Sequence, residues 1–74
     1  MNDIEFTLRG DHIGLDALLK ATGLADSGGA AKALIAQGLV QIDGQTELRK
    51  TCKVRAGQCV TFAGSRVLVA AGAP

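Results

Sequence analysis

The chain has 74 residues, 47% of them hydrophobic and 20% charged, with a net charge of +1. That length allows one domain, predicts marginal stability, and leaves little material for a deep cleft, a cofactor pocket or a lid. The hydrophobic content argues against a disordered chain, and the net charge alone predicts nothing about partners.

The charge is unevenly spread. Residues 1–31 carry Asp3, Glu5, Asp11, Asp16 and Asp26 against Arg9 and Lys20. Residues 32–74 carry Lys32, Arg49, Lys50, Lys53, Arg55 and Arg66 against Asp43 and Glu47. The second half is therefore the candidate surface for a polyanion. The opening residues, MNDIEFTLRG, have neither a basic n-region nor an apolar run, so a signal peptide is not expected. No apolar stretch approaches the ~20 residues of a membrane helix. A cytoplasmic location is the expectation.

In chain order, Ile4, Phe6 and Leu8 alternate with Glu5, Thr7 and Arg9, the period of a half-buried strand. Gly10 and Asp11 end it. Leu15, Leu18, Leu19 and Thr22 then mark one face of a helix over Leu15–Thr22. Asp16 stands in its first turn, where the helix dipole favours an acid. Gly23 fits the position after its end, and Leu24 is placed to fold back on Leu19. Asp26 or Ser27 caps a second helix over Gly28–Gln37, with Ala31, Leu34 and Ile35 inward. Gly38 and Leu39 repeat the first helix's ending, which places Leu39 against Leu34.

Val40 and Ile42 form a short strand, and Asp43-Gly44 is a strong hairpin signal returning near Gln45. Residues 49–55 read as an extended segment. Arg49, Thr51, Lys53 and Arg55 point one way, Cys52 and Val54 the other, and Lys50 sits at a bend. Ala56-Gly57 is a turn. Gln58–Phe62 and Arg66–Ala70 form a last hairpin about Ala63-Gly64, with Val60, Phe62, Val67 and Val69 inward. Residues 71–74 read as a frayed tail. The order predicts an α+β fold: an N-terminal strand, a helix pair, and a small antiparallel sheet, all in one domain over 1–74 with its core in 15–69.

Two features point to a site. Ser27-Gly28-Gly29 opens the second helix with backbone N–H groups that no bulky side chain covers, a geometry that holds phosphate. Glycine costs about 1 kcal/mol relative to alanine inside a helix, so the pair calls for a reason. The two helices approach closely there, or the exposed amides are used, and the two readings are compatible. The second feature is Arg49, Lys50, Lys53 and Arg55, four cations in seven residues with no acid between them. Such crowding is self-repelling, and Glu47 is placed to pair only with Arg49. With Lys32 one turn into the second helix, these residues are the candidate polyanion surface. Phe6 and Phe62, the only aromatics, lie on inward faces, so recognition by base stacking is not expected.

Catalytic material is poor. His12 is the lone histidine, without a nameable partner, and Cys52 and Cys59 are too far apart for a zinc knuckle. They read as half-buried thiols. No nucleophile–base pair and no phosphate-loop pattern occurs. The expectation is no enzyme, no cofactor, no metal and no small-molecule substrate. A protein-interaction adaptor is the alternative, and an exposed apolar patch on the sheet would favour it. A sulfur-carrier reading needs a Gly-Gly terminus, where this chain reads Gly72-Ala73-Pro74.

The pattern Leu15-Asp16-x-Leu18-Leu19, Ser27…Ala31-Lys32…Leu34-Ile35…Gly38-x-Val40-x-Ile42-Asp43-Gly44, then Val54-x-x-Gly57-Gln58-x-Val60, resembles the S4 domain family. That is the RNA-binding domain named after ribosomal small-subunit protein four, also called the αL motif. The resemblance covers Leu15 to Val69. Its specific pieces are Ser27-Gly28, Asp43-Gly44, Glu47-x-Arg49-Lys50-x-Cys52-Lys53 and Ala56-Gly57-Gln58. It implies binding to structured or ribosomal RNA through the start of the second helix and the loops beside it; a monomer is the separate expectation. Carried over residue by residue, that means Ser27, Gly28, Gly29 and Lys32, with Arg49, Lys50 and Lys53 adjacent. Many members place arginines along the second helix. Here Gly28, Ala33 and Ala36 stand there instead, which shifts the weight to the 49–55 loop.

Overall fold

The structure is a computed structural model and describes residues 2–72. Nine elements follow one another among the described residues. They are β1 (Asn2–Thr7), β2 (Ile13–Gly14), α1 (Leu15–Ala21), α2 (Gly28–Ala36), β3 (Val40–Ile42), β4 (Gln45–Thr46), β5 (Lys53–Val54), β6 (Cys59–Phe62) and β7 (Ser65–Ala70).

The helix ends follow the local chemistry. Ser27 is the cap of α2, and its Oγ accepts from the Ala30 N–H at 3.1 Å. At the other end Gly38 takes φ +77, its N–H donates to Ile35 O, and the Leu39 N–H donates to Leu34 O. This is the paired bonding of a glycine-terminated helix, which satisfies carbonyls the helix leaves open. Leu39 completes the hydrogen bond while its side chain stays 48% exposed. After α1, Gly23 takes φ +81, and the Ala25 N–H, one residue later than at α2, reaches Leu19 O. Thr22 Oγ1 also donates back to Leu18 O at 2.9 Å, and Thr22 is the C-cap, so α1 ends one residue before the expected Thr22.

Five strands form one sheet in the order β1-β7-β6-β3-β4. The pairs after the helices are antiparallel, as the two hairpin signals require. Asp43 and Ala63 each take φ 51 beside a glycine, the geometry of two-residue hairpin turns. The N-terminal strand joins at the edge and runs parallel to β7, with Ile4 opposite Val67 and Phe6 opposite Val69. The sheet is therefore mixed, because β1 and β7 are joined by the whole domain rather than by a hairpin. Arg66 grips Asp3 across this parallel pair, with Nη2 2.9 Å from Oδ2.

The core is a single cluster. Leu15, Leu18 and Leu19 of α1 and Ala31 and Ile35 of α2 meet Val40, Ile42, Val60, Val67 and Val69 of the sheet, with Leu8 beside them. Ile4, Phe6 and Phe62 are half-buried against it, on the inward faces expected for them. The reverse face of the sheet is open. Leu68 is its one exposed large hydrophobic among the described residues, with Glu5 and Cys59 as its lateral neighbours. Leu39 and Leu48 are exposed elsewhere, near Gly38. The apolar sheet patch that would favour an adaptor is not formed among the described residues. Of the predicted tail, Ala73 and Pro74 lie outside those residues, while Gly72 sits against the Leu8 backbone.

Candidate nucleic-acid interface

A second, two-stranded sheet organises the basic segment. β2 pairs antiparallel with β5, setting Ile13 opposite Val54 and Gly14 opposite Lys53. Two-residue strands carry no periodic signal, so this pairing was not legible in the sequence. Its consequence is direct. The chain leaves β2 straight into α1, and the first amides of α1 donate to the basic loop: Leu15 N–H to Cys52 O at 2.9 Å and Asp16 N–H to Lys50 O at 3.2 Å. Gly14, at the cap position, supplies no side-chain cap. Loop carbonyls therefore take the orphan donors that a capping side chain would otherwise satisfy.

The loop has the predicted two faces. Val54 is fully buried and Cys52 half-buried against the core, while Arg49, Lys50, Thr51, Lys53 and Arg55 are exposed. Lys50 occupies a turn that the Cys52 N–H closes on Arg49 O at 3.3 Å. Arg55 stands at the mouth of the next turn, where its N–H donates to Gln58 Oε1 at 2.7 Å. Gly57 takes φ +90 in that turn, and its N–H donates to Val69 O. Both ends of the basic segment are thus tied to the folded body.

Its cations are not equivalent. Glu47 accepts three hydrogen bonds from Arg49: from the backbone N–H at 3.0 Å, from Nε at 3.2 Å and from Nη2 at 3.2 Å. The Arg49 side chain, then its backbone N–H, holds the Glu47 carboxyl down at about 2. Lys32 Nζ lies 3.9 Å from Asp16 Oδ2, a loose pair whose lysine side chain is 50% exposed. Lys50, Lys53 and Arg55 make no ion pair among the described residues. Burial, and then hydrogen bonding to Glu47, pushes the Cys52 thiol up, which favours its protonated form at neutral pH.

The start of α2 is open. A Cβ on Gly28 would meet nothing within 4 Å, and one on Gly29 only Ser27 Oγ at 3.9 Å. The glycines therefore do not serve a close approach of the two helices. They leave the side-chain space beside the first turn of α2 empty, one turn before Lys32. Asp16 links the parts: its carboxylate is beside Lys32 and its amide is bonded to Lys50 O. Lys32 and the loop thus each touch the first turn of α1, through different atoms of Asp16. The sequence reading took Asp16 only as a partner of the helix dipole. Its contact with Lys32, from a neighbouring helix, has no signature in spacing.

His12 is exposed and both cysteines are free. Among the described residues no group of three or more His, Cys, Asp or Glu is arranged to hold a metal, and no helix is long and apolar enough to cross a membrane.

Comparison with known proteins gives a consistent pattern. The family model of the S4 domain matches residues 6–70. YbcJ of Escherichia coli strain K12 is 52% identical over 60 residues, spanning 81% of this chain and 86% of YbcJ. YbcJ of Shigella flexneri is similar to the same extent. The solution structure of Escherichia coli YbcJ, described as revealing an αL motif involved in RNA-binding, superposes with a TM-score of 0.72 at 46% identity. That superposition covers 95% of this chain and 90% of the other.

Proposed function

The chain belongs to the S4 domain family, and from that membership we propose that it is a small RNA-binding protein without catalysis of its own. It acts as a monomer in the bacterial cytoplasm and engages structured or ribosomal RNA through backbone phosphates. Lys50, Lys53 and Arg55 supply the free charge, Lys32 a partly screened one, and the amides of Gly28 and Gly29 a neutral phosphate cradle. Ser27 holds that cradle in shape.

The observation that carries the reading is the set Lys50, Lys53 and Arg55. All three are exposed and without ion pairs among the described residues, on a loop bonded to the start of α1. Crowded like charges raise the energy of the free protein and are relieved by a polyanion. The half-burial of Phe6 and Phe62 leaves no stacking platform, so affinity rests on phosphate contacts and is on the order of micromolar at physiological salt.

The test is fluorescence anisotropy with a labelled hairpin RNA at low salt, using the wild type and a Lys50→Ala, Lys53→Ala, Arg55→Ala variant. Binding lost in the variant is the expected result. Equal binding by the two proteins would remove this surface from consideration.

A further inference from the structure

Glu47 has the wrong charge for a phosphate-binding loop, and yet it is among the best-fastened side chains in it. Its own N–H donates to Val40 O at 3.0 Å, which anchors it to the sheet just beyond β4. Its carboxylate takes three donors from Arg49, and only 19% of its side chain is exposed. Beyond Arg49 the fastening continues. The Arg49 O accepts from the Cys52 N–H, and Arg49 Nη2 stands 3.7 Å from Cys52 Sγ. Lys50 O and Cys52 O then cap α1. A continuous line of bonds runs from β3 through Glu47 and Arg49 to the first turn of α1.

The guanidinium in that line is already committed. A phosphate gripped in the bidentate manner needs two parallel N–H groups on one edge of the fork. In Arg49 the edge formed by Nε and Nη2 is filled by the two Glu47 oxygens, and on the other edge Nη2 also faces Cys52 Sγ at 3.7 Å. Any phosphate drawn toward Arg49 also approaches the carboxylate. Arg49 is thus poorly disposed as a phosphate ligand although its side chain is 78% exposed.

We infer that Glu47 is a positioning residue for RNA binding: clasped to Arg49, it holds the turn that presents Lys50 and Lys53 outward and seats their loop on α1. This rests on the RNA-binding reading above. It assigns Arg49 to the clasp rather than to phosphate, and it makes a prediction whose sign is opposite to simple electrostatics. Removing an acid from a polyanion site strengthens binding if the acid only repels the ligand. Removing a positioning acid weakens it, because the cations lose their common geometry.

The experiment compares wild type, Glu47→Gln, Arg49→Ala and the double variant by anisotropy with a labelled hairpin RNA at low salt. Backbone amide exchange is followed by NMR in the same proteins. Glu47→Gln is expected to bind about three- to tenfold more weakly despite its extra net positive charge, and the double variant no more weakly than either single one. The Leu15 and Asp16 amides exchange faster in both single variants, while those of Val60 and Val67 keep their protection and report an intact sheet. Binding by Glu47→Gln at or above the wild-type level overturns the inference. If the wild type binds no hairpin, the RNA reading itself fails. The clasp is then decided by exchange alone, and unchanged Leu15 and Asp16 amides overturn it.

Discussion

Lys32 Nζ lies 3.9 Å from Asp16 Oδ2, so the one cation of α2 stands beside the acid in the first turn of α1. The Asp16 amide is at the same time bonded to Lys50 O. One residue thus touches both parts of the candidate surface, with opposite effects. Its backbone steadies the loop, and its carboxylate screens Lys32.

The first prediction separates those effects. Asp16→Asn keeps the amide bond to Lys50 O and removes the charge beside Lys32. RNA binding is expected to tighten about two- to fivefold at low salt, with the gain disappearing as salt screens it. Stability falls by about 0.3–1 kcal/mol, since the helix dipole loses its acid. Anisotropy titrations and urea melts check both. Asp16→Asn and Glu47→Gln each remove one negative charge, yet they are expected to move affinity in opposite directions.

The salt dependence of binding counts the free cations. With Lys32 and Arg49 already facing acids, Lys50, Lys53 and Arg55 dominate counterion release. The log-log slope for a duplex RNA is then about −3, and each alanine substitution among the three makes it about one unit shallower. A slope that ignores all three substitutions contradicts the assignment.

Acid should loosen the molecule late. The Arg66 guanidinium hydrogen-bonded to Asp3 lowers that carboxyl, and Arg49 holds Glu47 at about 2. Both are depressed in the folded state, so their stabilisation is fully present above the ordinary carboxylate range. It is lost as pH falls through the folded values, down to about 2 for Glu47. Urea midpoints measured from neutral pH into this range should fall, and the fall should be smaller in an Asp3→Asn, Glu47→Gln variant.

The glycines of α2 set stability against binding. A methyl group at Gly29 meets only Ser27 Oγ, at 3.9 Å. Gly29→Ala should therefore raise stability, by about 0.5–1 kcal/mol, through helix propensity and a less flexible unfolded chain. The same methyl crowds the amides that would face a phosphate, so RNA affinity should drop. Ser27→Ala loses the bond to the Ala30 N–H and should cost about 1 kcal/mol. Thermal melts paired with anisotropy test the two together.

Cys52 offers a chemical check on the loop. Burial first, and then its hydrogen bond to Glu47, raises the thiol. Alkylation by iodoacetamide at neutral pH, followed by mass spectrometry, should be slower than for a free cysteine in a peptide. Glu47→Gln should speed it.

What could be read from the chain was local. Ser27 as cap, Gly38 at the helix end, the Asp43-Gly44 turn and the inward Val67 and Val69 all depend on residues within a few positions of each other. Capping chemistry, positive φ and a two-residue period are properties of short segments, so composition and spacing suffice to find them. The separation of the 49–55 loop into an exposed basic edge and an apolar underside was legible for the same reason. Leu39 shows the limit: its backbone follows the local rule, while its side chain stays 48% exposed because burial depends on neighbours that the rule does not contain.

By itself, then, the sequence determined the helices, the hairpins, the inward faces and the identity of the cations. Tertiary structure alone decided that β1 lies parallel to β7, that Ile13-Gly14 pairs with Lys53-Val54, that loop carbonyls cap α1, and that Asp16 meets Lys32. β1 and β7 are six-residue strands whose period is legible but whose partnership is not, while the other three contacts join segments distant in the chain and as short as one or two residues. Such segments are too brief to hold a periodic pattern, and their partners are set by how the core brings the backbone together.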